Sequence, residues 1–257
     1  MSFGDRASFL TPLAQTLWLL GYPGQAFDLA EQARALAKNE PDLWSRGICE
    51  FNALRVRLWL RDQRTVDDAT RLLTFATEHG LSHMILTART CLGGALGQNG
   101  ERAQGLAQIE PGLEEGVRMK EPPDRIIDAL RAEAYAKVAR FSDGLRLVAD
   151  AFARGEQTGE ARYRAEFYRL KGELLLAGNN TNVDEAERAF RTAIDVARRQ
   201  HAKSWELRAA TSLARLLRDT NRRDEARGML TEIYSWFTEG FSTADLKDAK
   251  ALLEELN

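Results

Sequence analysis

Six stretches of this chain, each just after a turn signal, carry a small residue at the same place: "GYPGQAFDLAEQA", "RTVDDATRLLTFA", "NGERAQGLAQIEPG", "ARFSDGLRLVADA", "TNVDEAERAFRTA" and "NRRDEARGMLTEI". The small residues are Ala26, Ala69, Gly105, Gly144, Ala186 and Ala226; seven positions on stand Ala33, Ala76, Gly112, Ala151, Ala193 and Ile233. A stripe of small side chains at that spacing lets a second helix approach closely, so the pattern asks for packed helix pairs. Upstream of each stretch a small residue precedes an apolar one by one turn: Ala14/Leu17, Gly93/Leu96, Ala132/Tyr135, Gly172/Leu175 and Ala214/Leu217. The second unit departs, with Arg57 before Leu60.

The rest of the chain agrees with helices. In "SWELRAATSLARLLRD", Leu207, Ala210, Leu213, Ala214 and Leu217 recur at spacings of three and four, while Arg208, Arg215 and Arg218 share another face. No short segment alternates apolar and polar residues between turn signals, so no β-sheet is expected. Breakers such as "GYPGQ", "NEPD", "EHGLS", "QNGE", "EPPD" and "AGNNTN" separate stretches long enough for about thirteen helices. Asp42, Ser82, Ser142 and Thr243 stand where N-cap oxygens would accept free amide hydrogens.

These spacings resemble the tetratricopeptide (TPR) pattern. The resemblance implies an all-α, TPR-like right-handed superhelical solenoid of about six antiparallel helix pairs plus a C-terminal capping helix, its concave face lined by the first helix of each pair. The expected organisation is a single TPR-like repeat domain over 1–257, with units at 5–40, 43–80, 82–119, 122–157, 160–200 and 203–238 and a cap at 243–256. The period departs from the usual 34 residues: successive small positions lie 43, 36, 39, 42 and 40 residues apart.

The stretch "CLGGALGQNGERAQG" holds five glycines in fifteen residues, which raises the question of a phosphate loop. Such a loop follows a strand and commonly ends in Gly-Lys-Ser/Thr. Here no strand precedes it, Gly100 is followed by Glu101 and Arg102, and "GGALGQNG" does not spell the dinucleotide fingerprint. Gly93, Gly105 and Gly112 instead fall on the small positions of the third unit.

Residues 202–256, together with "LWLLGYPGQAFDLAEQA" and "YRLKGELLLAG", also resemble the C-terminal helical region of bacterial signalling ATPases of the STAND type. In that family the region follows a nucleotide-binding switch domain, with a winged-helix or class III cyclase domain commonly at the far N-terminus. Nothing in this chain resembles those other domains. The resemblance therefore implies a sensor or interaction arm, with a protein or peptide partner and an upstream ATPase or switch domain. The apolar stretch near the start has no polar cap, which also fits an upstream domain or a self-partner, a homodimer.

Formal net charge is −2, which gives no global attraction to nucleic acid or an anionic membrane. No apolar run approaches membrane-spanning length and no signal peptide is read, so a cytoplasmic location is expected. Cys49 and Cys91 fit reduced, buried thiols. His79, His83 and His201 lie at turns without a converging third ligand, adjacent carboxylates in "LEEG" do not face one another, and no serine-nucleophile motif occurs. No catalytic constellation, metal site or cofactor is expected, and the chain reads as a non-enzyme.

Charge is nevertheless uneven: residues 188–227 hold eleven Lys or Arg against five Asp or Glu. In repeat register Arg208, Thr211, Arg215 and Arg218 share the groove side of a first helix, with Arg169 and Glu173 in similar places one repeat earlier. Arginine forks suit carboxylate or phosphate groups, which points to an acidic peptide, a C-terminal carboxylate or an anionic effector. The alternative is a solvated face with local ion pairs, Arg218 to Asp219 and Arg222/Arg223 to Glu225. Nucleic acid is disfavoured because only Trp205 is near for stacking. Two functions thus stand open: an effector-sensing interaction module of a signalling or transcriptional regulator, or an oligomerising scaffold. The late aromatics Trp205, Tyr234, Trp236, Phe237 and Phe241 are expected to pack the cap onto the last repeat.

Overall fold

A computed structural model of the chain describes residues 3–119, 125–178 and 182–257, with side chains described at 9–111, 126–178 and 182–257. Every regular element among them is helical: α1 (Phe3–Leu20), α2 (Pro23–Ala37), α3 (Leu43–Leu60), α4 (Thr65–Glu78), α5 (Ser82–Gln98), α6 (Arg102–Met119), α7 (Arg125–Lys137), α8 (Phe141–Thr158), α9 (Arg164–Gly178), α10 (Val183–Arg199), α11 (Lys203–Asp219), α12 (Arg223–Tyr234) and α13 (Ala244–Leu256). The turn at 121–124, the loop at 179–181 and the contact expected at Gly112 lie outside the described residues. No helix among the described residues is long and apolar enough to cross a membrane.

One turn recurs between the helices of a pair. Gly21, Arg61, Gly100, Ala139 and Asn221 all have positive φ, between 54° and 96°. The next amide in each case donates to the carbonyl five residues back: Tyr22 to Leu17, Asp62 to Arg57, Glu101 to Leu96, Arg140 to Tyr135 and Arg222 to Leu217, at 2.7–3.2 Å. This bond across a left-handed residue reverses the chain and satisfies a carbonyl at the helix end. It also corrects the register of the second unit. Arg57, not Leu60, stands where Leu17, Leu96, Tyr135 and Leu217 stand, and Leu54 takes the small position. The register is masked in the sequence because a charged residue, Arg57, fills a position that is apolar in the other units.

Arg57 is accordingly buried, 4% exposed, in a place that is apolar in its counterparts. Its guanidinium reaches Glu31 at 2.9 Å, Asp62 at 3.0 Å and Asp68 at 2.9 Å, and its ζ carbon lies 4.9 Å from the Phe27 ring centre. Arg34 joins from α2, bonding Asp68 at 3.0 Å and Glu50 at 3.2 Å. A buried arginine is tolerated only when so paired.

The small positions do what their spacing implies. Ala26, Ala69, Gly105, Gly144, Ala186 and Ala226 are all buried. At the α5–α6 crossing the helices nearly touch: a Cβ on Gly93 would lie 2.4 Å from the Gly105 carbonyl oxygen, and one on Gly105 would lie 2.5 Å from that of Gly93. Gly172 makes room for Phe190, which is fully buried, and Gly144 for Leu174. The glycine-rich stretch is therefore a packing device on two helices, not a phosphate loop.

The chain divides into two compact units, residues 1–18 with 22–127, and 19–21 with 128–257. In the first, equivalent helices of successive pairs run parallel. Gln15 donates to Asn52 at 3.1 Å and Trp18 stacks on Trp59 with centroids 4.8 Å apart, joining α1 to α3. Gln98 donates to the Leu58 carbonyl at 3.2 Å, joining α5 to α3. In the second unit α10 and α12 run parallel through Arg191–Glu225, Arg222–Glu187 and Arg198–Glu232, at sequence offsets of 34, 35 and 34. The core there combines Phe190, Leu207, Leu213, Leu217 and Leu230 with Leu246, Leu252 and Leu256 of α13.

Three local expectations need correction. Asp42 does cap α3, accepting from the Ser45 amide at 2.8 Å, but Ser82 and Ser142 lie inside α5 and α8. Those helices start earlier because the carbonyls of Leu81 and Arg140 already accept the first helical amides. Thr243 holds the N-cap position of α13, yet its hydroxyl donates to the Gly240 carbonyl at 2.7 Å. Among the late aromatics Trp205 and Phe237 are buried, whereas Trp236 is 37% and Phe241 49% exposed. α12 ends at Tyr234, so the helical spacing that would have turned all of them inward stops short. Cys49 and Cys91 are buried and form no disulfide.

The close crossing gives a contrasting pair of substitutions. Gly93→Ala should lower unfolding free energy by about 2 kcal/mol or more, because its neighbour is backbone and cannot swing aside. Gly97→Ala, whose Cβ would meet nothing within 4 Å, should raise it by about 0.5–1 kcal/mol through helix propensity. Urea denaturation of the two variants measures both signs.

Candidate functional site

In the second unit the first helices α7, α9 and α11, with α13 beside α11, share a face of half-buried charge. Glu133 and Lys137 pair along α7 at 2.8 Å, an i,i+4 contact. On α9, Arg169 forks onto both Glu166 oxygens at 2.7 and 2.8 Å and reaches Glu173 at 3.4 Å. Ser212 of α11 donates to Glu173 at 2.6 Å, and Arg208 lies 3.7 Å from Glu166. The Arg208 guanidinium also rests over the Trp205 ring, 5.1 Å from its centre.

All six residues singled out from sequence fall on or beside this face, and the structure gives each a partner. Arg208 bonds Asp245 at 2.7 Å, Arg215 lies 3.8 Å from Asp248, and Arg218 bonds Glu255 at 2.5 Å and Asp219 at 2.9 Å. Three arginines of α11 thus face three carboxylates of α13. Thr211 is 5% exposed and its hydroxyl donates to the Leu207 carbonyl at 2.8 Å. Glu133, Lys137, Glu166, Asp245 and Asp248 were not picked out from the sequence. The i,i+4 and i,i+3 spacings of Glu133/Lys137 and Glu166/Arg169 were visible signals. The α13 partners lie 33–37 residues from their arginines and leave no local trace.

Two groups of the face are held in their charged forms. Burial pushes the Glu133 carboxyl up, but Lys137, Arg169 and Arg208 together pull it down to about 2. Burial pushes Arg169 down, yet Glu166, Glu173 and Glu133 outweigh it and hold the guanidinium above its ordinary value. Both groups are therefore charged near neutral pH, where neither exchanges a proton readily. The basic stretch at 188–227 is likewise drawn into internal pairs: Arg191 and Arg222 close a ring with Glu187 and Glu225, and Arg198 binds the buried Glu206 at 2.7 Å. His79 and His83 pack against the rings of Phe75 and Trp44. Among the described residues no group of three His, Cys, Asp or Glu could hold a metal ion.

No protein-family model matches the sequence, and no curated protein matches it. Solved structures do match its fold. The apo form of RapI aligns over 98% of this chain and 85% of its own, with 12% identity and a TM-score of 0.60. Aspartyl phosphate phosphatase F from Bacillus subtilis aligns over 91% of this chain and 60% of its own, with 13% identity and a TM-score of 0.61. A Rap protein complexed with competence and sporulation factor aligns over 98% and 74%, with 13% identity and a TM-score of 0.60. At these identities the likeness concerns the fold, and the fold is all-α and TPR-like.

Glu133 provides a pH test. Its pKa is lowered on folding, so its contribution is complete above the unfolded value near 4.5 and is lost as pH falls toward 2. Glu133→Gln should cost about 1–2 kcal/mol at pH 7, after allowance for solvent screening, and the deficit should shrink at pH 3. Urea denaturation of both proteins at the two pH values reads the difference.

Proposed function

We propose that this chain is a non-catalytic binding module whose charged first-helix face takes a protein or peptide segment. The observation that carries the reading is the row of half-buried ion pairs running from α7 through α9 and α11 to α13. Arg208, Arg215 and Arg218 already bind carboxylates supplied by another helix, so an acidic segment offers them the same chemistry by exchange. One structural neighbour is a Rap protein complexed with competence and sporulation factor, which supports reading this fold as one that takes a partner. Another is described as an aspartyl phosphate phosphatase; the non-enzyme reading here rests on the charged forms held at Glu133 and Arg169 and on the absence of a catalytic motif in the sequence.

The resemblance of residues 202–256 to the helical arm of STAND-type ATPases extends the proposal. In that setting the module senses a segment or effector in the bacterial cytoplasm and relays its presence to a nucleotide-binding switch domain, with transcription or cyclic-nucleotide synthesis as output. A second reading, an oligomerising scaffold, has its own support: Phe9, Leu13, Leu43 and Trp44 are 37–70% exposed in the first unit.

Fluorescence anisotropy with acidic peptides and their amidated, uncharged counterparts tests the proposal. Acidic peptides should bind, and Arg215→Ala with Arg218→Ala, both on the solvent side of the face, should weaken them about tenfold, which is 1.4 kcal/mol. Absence of peptide binding together with a concentration-dependent mass in light scattering would favour the scaffold.

A further inference from the structure

A second site lies away from the charged face. In the first unit α2, the N-terminal half of α3 and α4 enclose a cleft of about 590 Å³. Four cations line it, Arg34, Lys38, Arg46 and Arg71, against two carboxylates, Glu50 and Glu78. The lining therefore has an excess of two positive charges. Its volume falls within the roughly 300–1,000 Å³ of sites that hold small molecules.

The cations are not equivalent. Arg34 is held by Asp68, Glu50 and Glu31, at 3.0, 3.2 and 3.5 Å, and Arg71 also pairs with Asp68. Arg46 and Lys38 have no carboxylate within ion-pair distance among the described residues. Arg46 is half-buried and its guanidinium lies over the Phe75 ring, 4.8 Å from its centre. Lys38 adds a mobile point charge just after α2. Glu50 is the half-buried carboxylate of this lining: burial pushes its carboxyl up although Arg34, Arg46, Arg71 and Lys38 pull the other way. Glu50 offsets Arg46 and Lys38 in part, and the positive charge that remains on the lining attracts an anion.

We propose that this cleft binds a small organic dianion, with Arg46 as a bidentate clamp, Lys38 as a second cation and the Phe75 ring as an apolar wall. The anionic groups are carboxylates or phosphates; both match a guanidinium fork. The neutral part of the ligand lies against Phe75 and the aliphatic stems of the arginines. The site is independent of the peptide-binding reading, since it uses other helices and other residues.

Calorimetry on the full chain at low ionic strength tests it, with succinate as the dicarboxylate, glycerol phosphate as the phosphomonoester, and succinamide as the neutral control. Saturable binding of succinate or glycerol phosphate, but not of succinamide, is expected, and the arm that binds more tightly names the headgroup. The double variant Arg46→Gln, Lys38→Gln should bind at least tenfold more weakly with an unchanged melting temperature. Arg46→Lys keeps the charge but not the fork and should fall between. The proposal is overturned if neither dianion saturates at millimolar concentration, or if the double variant binds as tightly as the parent.

Discussion

A single backbone hydrogen bond, thrown across a left-handed residue to the carbonyl five positions back, closes the helix pairs wherever their inner turns are described. It sets where the second helix starts and how closely it returns along the first. The small residues follow from that geometry. Once α6 is brought back against α5 by the turn at Gly100, Gly93 and Gly105 must face each other with no room for a methyl group. Between α9 and α10, Phe190 likewise fills the notch left by Gly172. Side-chain size at these few positions serves fit, and the reactivity that a glycine-rich stretch first suggests is absent from it.

Charge is organised on top of this scaffold. Because equivalent helices of successive pairs run parallel, carboxylates and guanidiniums roughly one repeat apart meet repeatedly, as Arg191, Arg198 and Arg222 do with Glu225, Glu232 and Glu187. The excess of basic residues at 188–227 is thereby turned inward to link α10 with α12 and α11 with α13. Exposed pairs of this kind contribute little each, on the order of 0–1 kcal/mol, so their value lies in aligning helices more than in adding stability. The buried ones differ: Arg57 and Glu166 would be costly without their partners. Arg46 and Lys38, which meet Glu50 without a close ion pair among the described residues, are the cations assigned to an external anion.

The helices and their small-residue stripe were legible in the sequence because both rest on local spacing: three, four and seven residues. The true register at Arg57 is hidden in the sequence because a buried arginine stands where the other units carry an apolar residue, and its carboxylate partners Glu31 and Asp68 lie on other helices. Ser82 and Ser142 lie one and two positions past the N-cap residues Leu81 and Arg140, inside the first turn, where a cap oxygen has no role. At the candidate site the arginines could be placed on one face from repeat register alone, but their partners on α13 could not. Asp245, Asp248 and Glu255 reach α11 only through packing of Leu246, Leu252 and Leu256 into the shared core. The cleft of the first unit was invisible for the same reason: its walls come from three helices, and no motif joins Arg46 to Phe75.

Everything said of packing, register and charge rests on those closed turns, and hydrogen exchange observes them directly. The amides of Asp62, Glu101, Arg140 and Arg222 lie at the surface ends of helices, where an amide without a partner exchanges at nearly the unfolded rate. Protection of all four by about a hundredfold or more is the predicted result, comparable with the helices they join. Exchange of these four at the unprotected rate, with the flanking helices still protected, would contradict it.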